Sequence, residues 1–147
     1  MPNALSFVDT NILVYRAGLK NDPKTEIATK LLNAVEFGLS TQVLQEFYVT
    51  ATHPKKLQLT HESALELIEP LLEFPIHVVD LWTIREALEL KVKFRISYWD
   101  AVIVVSARAL GCKILYTEDL KDRQNYDGVE AINPFTPQFR LIERSKQ

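Results

Sequence analysis

Leu5-Ser6-Phe7-Val8-Asp9 and Lys113-Ile114-Leu115-Tyr116-Thr117 are the stretches on which the fold turns. Each is short and almost wholly apolar, and each meets an acid at or just past its carboxyl end, Asp9 in the first case and Asp119 in the second. Apolar runs without polar alternation suit strands covered on both faces, the usual situation in a parallel sheet. The chain between them has helical periodicity. Asp22-Pro23 supplies an N-cap and a helix-opening proline for a helix to about Phe37, with Ile27, Leu31, Leu32 and Val35 on one face and Gly38 as its stop. Leu39–Thr41 reads as a brief second strand, followed by a helix to about Thr52 that Pro54 ends. Thr60 opens another helix, with Leu65, Leu67, Ile68, Leu71 and Leu72 as apolar positions, and Pro75 to Val79 is a third strand. Helices from Leu81 to about Phe94 and from Ser97 to Leu110 precede the strand Lys113–Thr117, and Val129–Asn133 is the last strand. The order β-α-β-α-β-α-β-β, with helix-length crossovers, predicts an α/β domain whose parallel sheet carries helices on both faces.

At 147 residues, 47% hydrophobic and 24% charged, the chain suits one domain with a sizeable core, here residues 1–135, followed by a polar tail, 136–147. No basic segment precedes the run from Leu5, which Asp9 interrupts, and no apolar stretch reaches membrane-spanning length, so a cytoplasmic protein is expected. The single cysteine, Cys112, excludes an intramolecular disulfide and a cysteine metal cluster and reads as a small buried hydrophobe.

Asp9, Glu46, Asp100 and Asp119 carry the functional information. Each stands at the edge of an apolar segment, where a carboxylate is costly to desolvate unless a donor or a cation compensates it. In open parallel sheets ligands gather beyond the carboxyl ends of the strands. Asp9 and Asp119 reach that rim from strands; Glu46 and Asp100 reach it from helices that begin there, with Thr41 and Ser97 as caps. Four carboxylates so close would repel, and all-oxygen ligation favours magnesium or manganese over zinc. The formal net charge of −2 does not oppose a polyanionic partner, because without these four acids seventeen basic residues face fifteen acidic ones.

Each acid taken singly has a structural explanation. Ser97 with Asp100 three residues on fits a capping box; Asp9 before Thr10-Asn11 suits a turn or N-cap; Glu46 suits a solvated helix face and Asp119 a polar loop. Joint placement on one rim favours the functional reading. His53, His61 and His77 lack the spacing of a zinc site, and no phosphate-cradling glycine loop or serine elbow is present. Lys91, Lys93 and Arg95 are weak RNA-binding candidates, better explained by the dipole of the helix they end, and Trp82 and Trp99 read as core.

Val8-Asp9-Thr10-Asn11, the later Glu46, Trp99-Asp100-Ala101, Thr117-Glu118-Asp119 and Asn133-Pro134-Phe135 resemble, in order and spacing, a PIN-domain protein, in particular the VapC-type toxin ribonucleases of toxin-antitoxin systems. The resemblance runs from Ser6 to Phe135. It implies a three-layer α/β/α sandwich with strand order 3-2-1-4-5, an endoribonuclease using one or two Mg2+ or Mn2+ ions, a cognate antitoxin and homodimerisation. Asp9, Glu46, Asp100 and Asp119 match the family's acidic quartet, Asn11 its supporting polar residue, and Thr117 and Asp122 are weaker supporting candidates. Asp9 and Asp100 are then the leading direct ligands, Glu46 a ligand or the orienter of the attacking water, and Asp119 a ligand of the more weakly held ion. A housekeeping RNA-processing nuclease shares the domain. A receiver-like signalling domain, for which Lys121 is the loose candidate lysine, and a catalytically silent interaction domain are rival readings.

Overall fold

The computed structural model describes residues 5–18 and 21–141; residues 1–4 of the expected domain and 142–147 of the expected tail lie outside them. Side-chain caps open most of the helices. Asp9 precedes α1 (Thr10–Ala17), Asp22 precedes α2 (Pro23–Ala34), and Ser40 precedes α3 (Thr41–Thr52). Thr60 caps α4 (His61–Ile68), Asp80 and Thr83 form a reciprocal capping box on α5 (Leu81–Phe94), and Ser97 caps α6 (Tyr98–Ala109). Each cap satisfies an amide that the first helical turn leaves unpaired.

The strands are β1 (Ser6–Val8), β2 (Phe37–Ser40), β3 (Ile76–His77), β4 (Ile114–Tyr116), β5 (Asn125–Tyr126) and β6 (Val129–Ile132), in the order β3-β2-β1-β4-β6-β5. All neighbours pair in parallel except the edge hairpin β5–β6. Counting only the parallel strands, this is the expected 3-2-1-4-5 order with one antiparallel edge strand added. That strand is the consequence of Asp127-Gly128, whose positive φ angles of 53° and 103° make the two-residue turn that joins Tyr126 to Val129. β1 and β2 are buried along their whole length. On one side α6 lies across β2, β3, β4 and β6 with α5 packed on it; α1 packs on α2 and α3, and α3 on α4, giving the three-layer α/β sandwich.

Several expected boundaries change. The helix expected to reach Phe37 ends at Ala34, because Val35 turns extended and Phe37 joins β2, where its ring stacks on Phe74 at 4.3 Å. Gly38 is therefore a strand residue and no helix stop. Its role is close approach: a Cβ there would lie 2.6 Å from the Leu110 Cδ1, 3.2 Å from Leu5 and 3.4 Å from the Pro75 carbonyl. Gly38→Ala should destabilise the protein by about 1–2 kcal/mol, since the Leu110 and Leu5 side chains must both shift to admit the methyl group; an unchanged urea midpoint would show that they give way freely. Thr41 starts α3 and does not cap it; its hydroxyl accepts from the Val79 amide at 3.1 Å. Pro70 divides the helix expected from Thr60, leaving a 3-10 turn over Glu69–Glu73.

Past β6, Phe139 and Leu141 pack against the core, Phe139 meeting Tyr116 edge-on at 6.2 Å. No described helix is long and apolar enough to cross a membrane.

Candidate active site

β1 and β4 pair in register, Val8 opposite Tyr116, so the residues one step beyond, Asp9 and Thr117, meet at the rim. The Asp9 amide donates to the Tyr116 carbonyl at 3.0 Å. One Asp9 carboxylate oxygen accepts from the Thr10 amide at 2.7 Å and the other from the Thr117 hydroxyl at 2.8 Å. Thr117 in turn accepts from the Asp119 amide at 3.1 Å, and the Asn11 Nδ2 donates to Asp119 at 3.0 Å. Asp100 arrives from the first turn of α6, its amide donating to the Ser97 hydroxyl at 3.0 Å. One carboxylate oxygen from each of Asp9, Asp100 and Asp119 lies within 4.8 Å of the others, and burial falls from Asp9 through Asp100 to Asp119. The three thus run from the floor of the sheet to solvent.

Glu46, in the second turn of α3, does not join that close group. The Gln42 Nε2 holds it at 2.7 Å and also donates to the Trp99 carbonyl at 3.3 Å. Glu46 still belongs electrically to the cluster, since Asp100 and Asp119 help raise its pKa beyond what burial does.

Every perturbed acid of the site leans toward protonation. Burial, aided by Asp119 and Glu46, pushes Asp9 up to about 7 against the opposing bonds from Thr117 and Thr10. Burial and Asp119 raise Asp100, with Ser97 opposing. Among the described residues, no basic side chain figures among the influences on Asp9, Glu46 or Asp100. Two further oxygens at this rim, the Thr10 Oγ1 and the Asn11 Oδ1, are buried without a partner among the described residues. Oxygen donors, excess negative charge and an orphaned acceptor together fit a hard divalent cation such as magnesium or manganese.

The other candidates have structural engagements. The Asp122 carboxylate accepts from the Asn133 amide at 2.8 Å, bracing the turn after β6 and standing apart from the three clustered acids. Lys93 is paired with Asp127 at 2.7 Å, Arg95 is the left-handed C-cap of α5 (φ 55°), and Lys91 is exposed on its last turn. His61 meets the Tyr48 hydroxyl, His77 meets Thr83, and the His53 ring accepts from the Lys55 amide. Both tryptophans expected in the core are on the surface, Trp82 49% and Trp99 66% exposed. Sequence reading also missed Gln42, although its position four residues before Glu46 on one helix was the available signal.

Solved structures similar to this one share its fold at low sequence identity. The sarcin-ricin loop cleaving toxin VapC20 of Mycobacterium tuberculosis is 20% identical, with a TM-score of 0.61 over 74% of this chain and 85% of that one. A toxin-antitoxin complex from Klebsiella pneumoniae aligns at 19% identity and a TM-score of 0.66, covering 88% and 98% of the two chains. VapBC2 of Rickettsia felis, bound to a DNA fragment from its promoter, aligns at 22% and 0.59, covering 86% and 96%. No curated protein matches the sequence. The PIN domain family model matches residues 6–126, from the first residue of β1 to the last of β5, and the chain belongs to the PIN domain family.

Proposed function

We propose that this protein is a magnesium- or manganese-dependent endoribonuclease, the toxin of a toxin-antitoxin pair, acting as a homodimer in the cytoplasm. The observation that carries the reading is the convergence of Asp9, Asp100 and Asp119 within 4.8 Å, with Glu46 alongside, at the strand rim of a PIN domain. Asp9 and Asp100 would hold the cation most directly, with Asp119 and Glu46 completing the shell. When bound, such an ion lowers the pKa of water and neutralises charge building on the phosphate.

The protein's own part is positioning. The Thr10 amide and the Thr117 hydroxyl fix both oxygens of Asp9, and Asn11 fixes Asp119, so neither carboxylate needs to reorganise when a phosphodiester enters. Glu46, exposed and held by Gln42, is the acid placed to take a proton from an attacking water. A toxin role is supported by the fold's likeness to proteins described as a sarcin-ricin loop cleaving toxin and as a toxin-antitoxin complex. The dimer is supported by α5: Leu81, Leu88 and Val92 fall on one helical stripe and are 73%, 51% and 75% exposed.

Purified protein should cleave single-stranded RNA with magnesium or manganese and lose all activity in EDTA. Undiminished cleavage in chelator would remove the metal-dependent reading. Growth arrest on expression, relieved by Asp100→Asn and by a co-expressed binding partner, is expected of a toxin; harmless expression of an active nuclease would identify a housekeeping enzyme instead.

A further inference from the structure

The acidic rim continues into a groove of about 690 Å³ between α3, the start of α5 and the first turn of α6. Glu46 lines both the groove and the rim, so one molecule can occupy the two together. The groove's chemistry differs from that of the rim. Val79, Ile84 and Val102 give it an apolar floor, and Trp99, next in sequence to Asp100, stands at its edge. The indole is 66% exposed and is braced edge-on by Tyr98, with ring centroids 5.2 Å apart at 72°. The backbone beneath it is tied to the acids, because the same Gln42 amide that grips Glu46 donates to the Trp99 carbonyl.

A second amide is unspent. Gln45 lines the groove and is exposed, and its side-chain amide makes no hydrogen bond among the described residues. An exposed aromatic face, an apolar floor and a free amide, which offers a donor and an acceptor side by side, are the elements that stack a flat heterocycle and read its edge. The neighbouring carboxylates exclude acidic occupants, whereas a neutral base attached to a cation-held phosphate has no such conflict.

Resting on the ribonuclease reading above, we propose that this groove is a nucleobase subsite: the base beside the bond to be cut stacks on Trp99 and sets its edge against the Gln45 amide. Adenine is the best-matched base, since an amide pairs with its N6 donor and N7 acceptor together. The enzyme would then cut preferentially beside unpaired adenine, and the groove contributes sequence preference while the acids contribute chemistry.

The test compares Trp99→Ala, Trp99→Phe and Gln45→Ala with wild type on an RNA carrying one cut site, and on the same RNA with an abasic nucleotide beside that site. Trp99→Ala should raise KM by about 10-fold or more, the equivalent of one lost stack, with kcat less affected. Trp99→Phe should restore most of the loss, Gln45→Ala should weaken discrimination between adenine and uracil, and on the abasic RNA wild type and Trp99→Ala should become alike. Equal KM values on intact RNA, or an undiminished loss on abasic RNA, would overturn the subsite. So would a loss of activity that tracks conversion to a lighter species in size-exclusion chromatography, which would assign the groove to a second copy of the chain. Wild-type protein that cuts no RNA defeats the nuclease reading separately. In that case the Trp82→Phe protein, whose fluorescence reports Trp99, decides the subsite: quenching by oligoadenylate with magnesium supports it and no quenching overturns it.

Discussion

Asp9→Asn is expected to abolish RNA cleavage and, without metal, to leave the protein more stable than wild type. The loss of activity should be at least ~10²-fold, as when one electrostatic stabiliser is removed from a reacting centre. The gain in stability has a different origin. A carboxyl pushed from 3.8 up to about 7 by burial opposes folding whenever it is ionised, by at most about 4 kcal/mol. Relaxation around the charge reduces this, and a gain of about 2 kcal/mol, roughly a 4–8 °C rise in Tm, is expected at pH 8 in EDTA. Asparagine keeps both existing bonds within reach, with its oxygen accepting from the Thr10 amide and its Nδ2 donating to the Thr117 hydroxyl. Scanning calorimetry of the two metal-free proteins decides the matter. A clear loss of stability in the variant would make Asp9 primarily the N-cap of α1, with metal binding secondary.

Metal affinity should fall by about tenfold for each unit of pH below about 7, because a cation must displace the proton that burial keeps on Asp9. The sign for the metal-free protein follows from the same raised pKa. Its native state holds a proton that the unfolded chain gives up near pH 3.8, so this group's contribution favours folding at low pH and is lost as pH rises from about 4 to about 7. Saturating manganese should reverse the trend, giving thermal stabilisation that is small at pH 6 and large at pH 8. Titration calorimetry in two buffers of different ionisation enthalpy would count the protons released near pH 7. Binding that is flat from pH 6 to 8 with no proton release would place the metal away from Asp9.

The elements legible in the sequence are those whose boundaries are written in local chemistry. Leu81–Phe94 is bounded as expected because Asp80 and Thr83 cap it and Arg95 adopts the left-handed turn that stops it. The parallel sheet was legible from runs such as Ser6–Val8, in which every residue is buried. Missed elements depend on distant partners. α1 is eight residues long, and Thr10, Ile12 and Leu13 are buried only because α2 and α3 pack on them. Gly38 resembles a helix stop locally and is in fact a contact with Leu110, seventy-two positions away. β5 is the exception, since Asp127-Gly128 was a local signal that went unread. In the site, Asp9, Asp100 and Asp119 were legible because each sits where an element begins or ends. The direction of Glu46, tied through Gln42 to Trp99, and the exposure of Trp99 itself depend on how α3 meets α6, which no local pattern encodes.

The hydrogen bond from Thr117 to Asp9 joins residues 108 positions apart. A growing chain therefore carries Asp9 and Glu46 long before it has the strand that completes the rim, and parallel pairing of β1 with β4 cannot occur until β4 has left the ribosome. At roughly 5–20 residues per second, synthesis from Glu46 to Thr117 takes seconds. The centre comes into being only once β4 has emerged, so a nascent chain short of Thr117 carries the first acids of the rim without the strand that orders them.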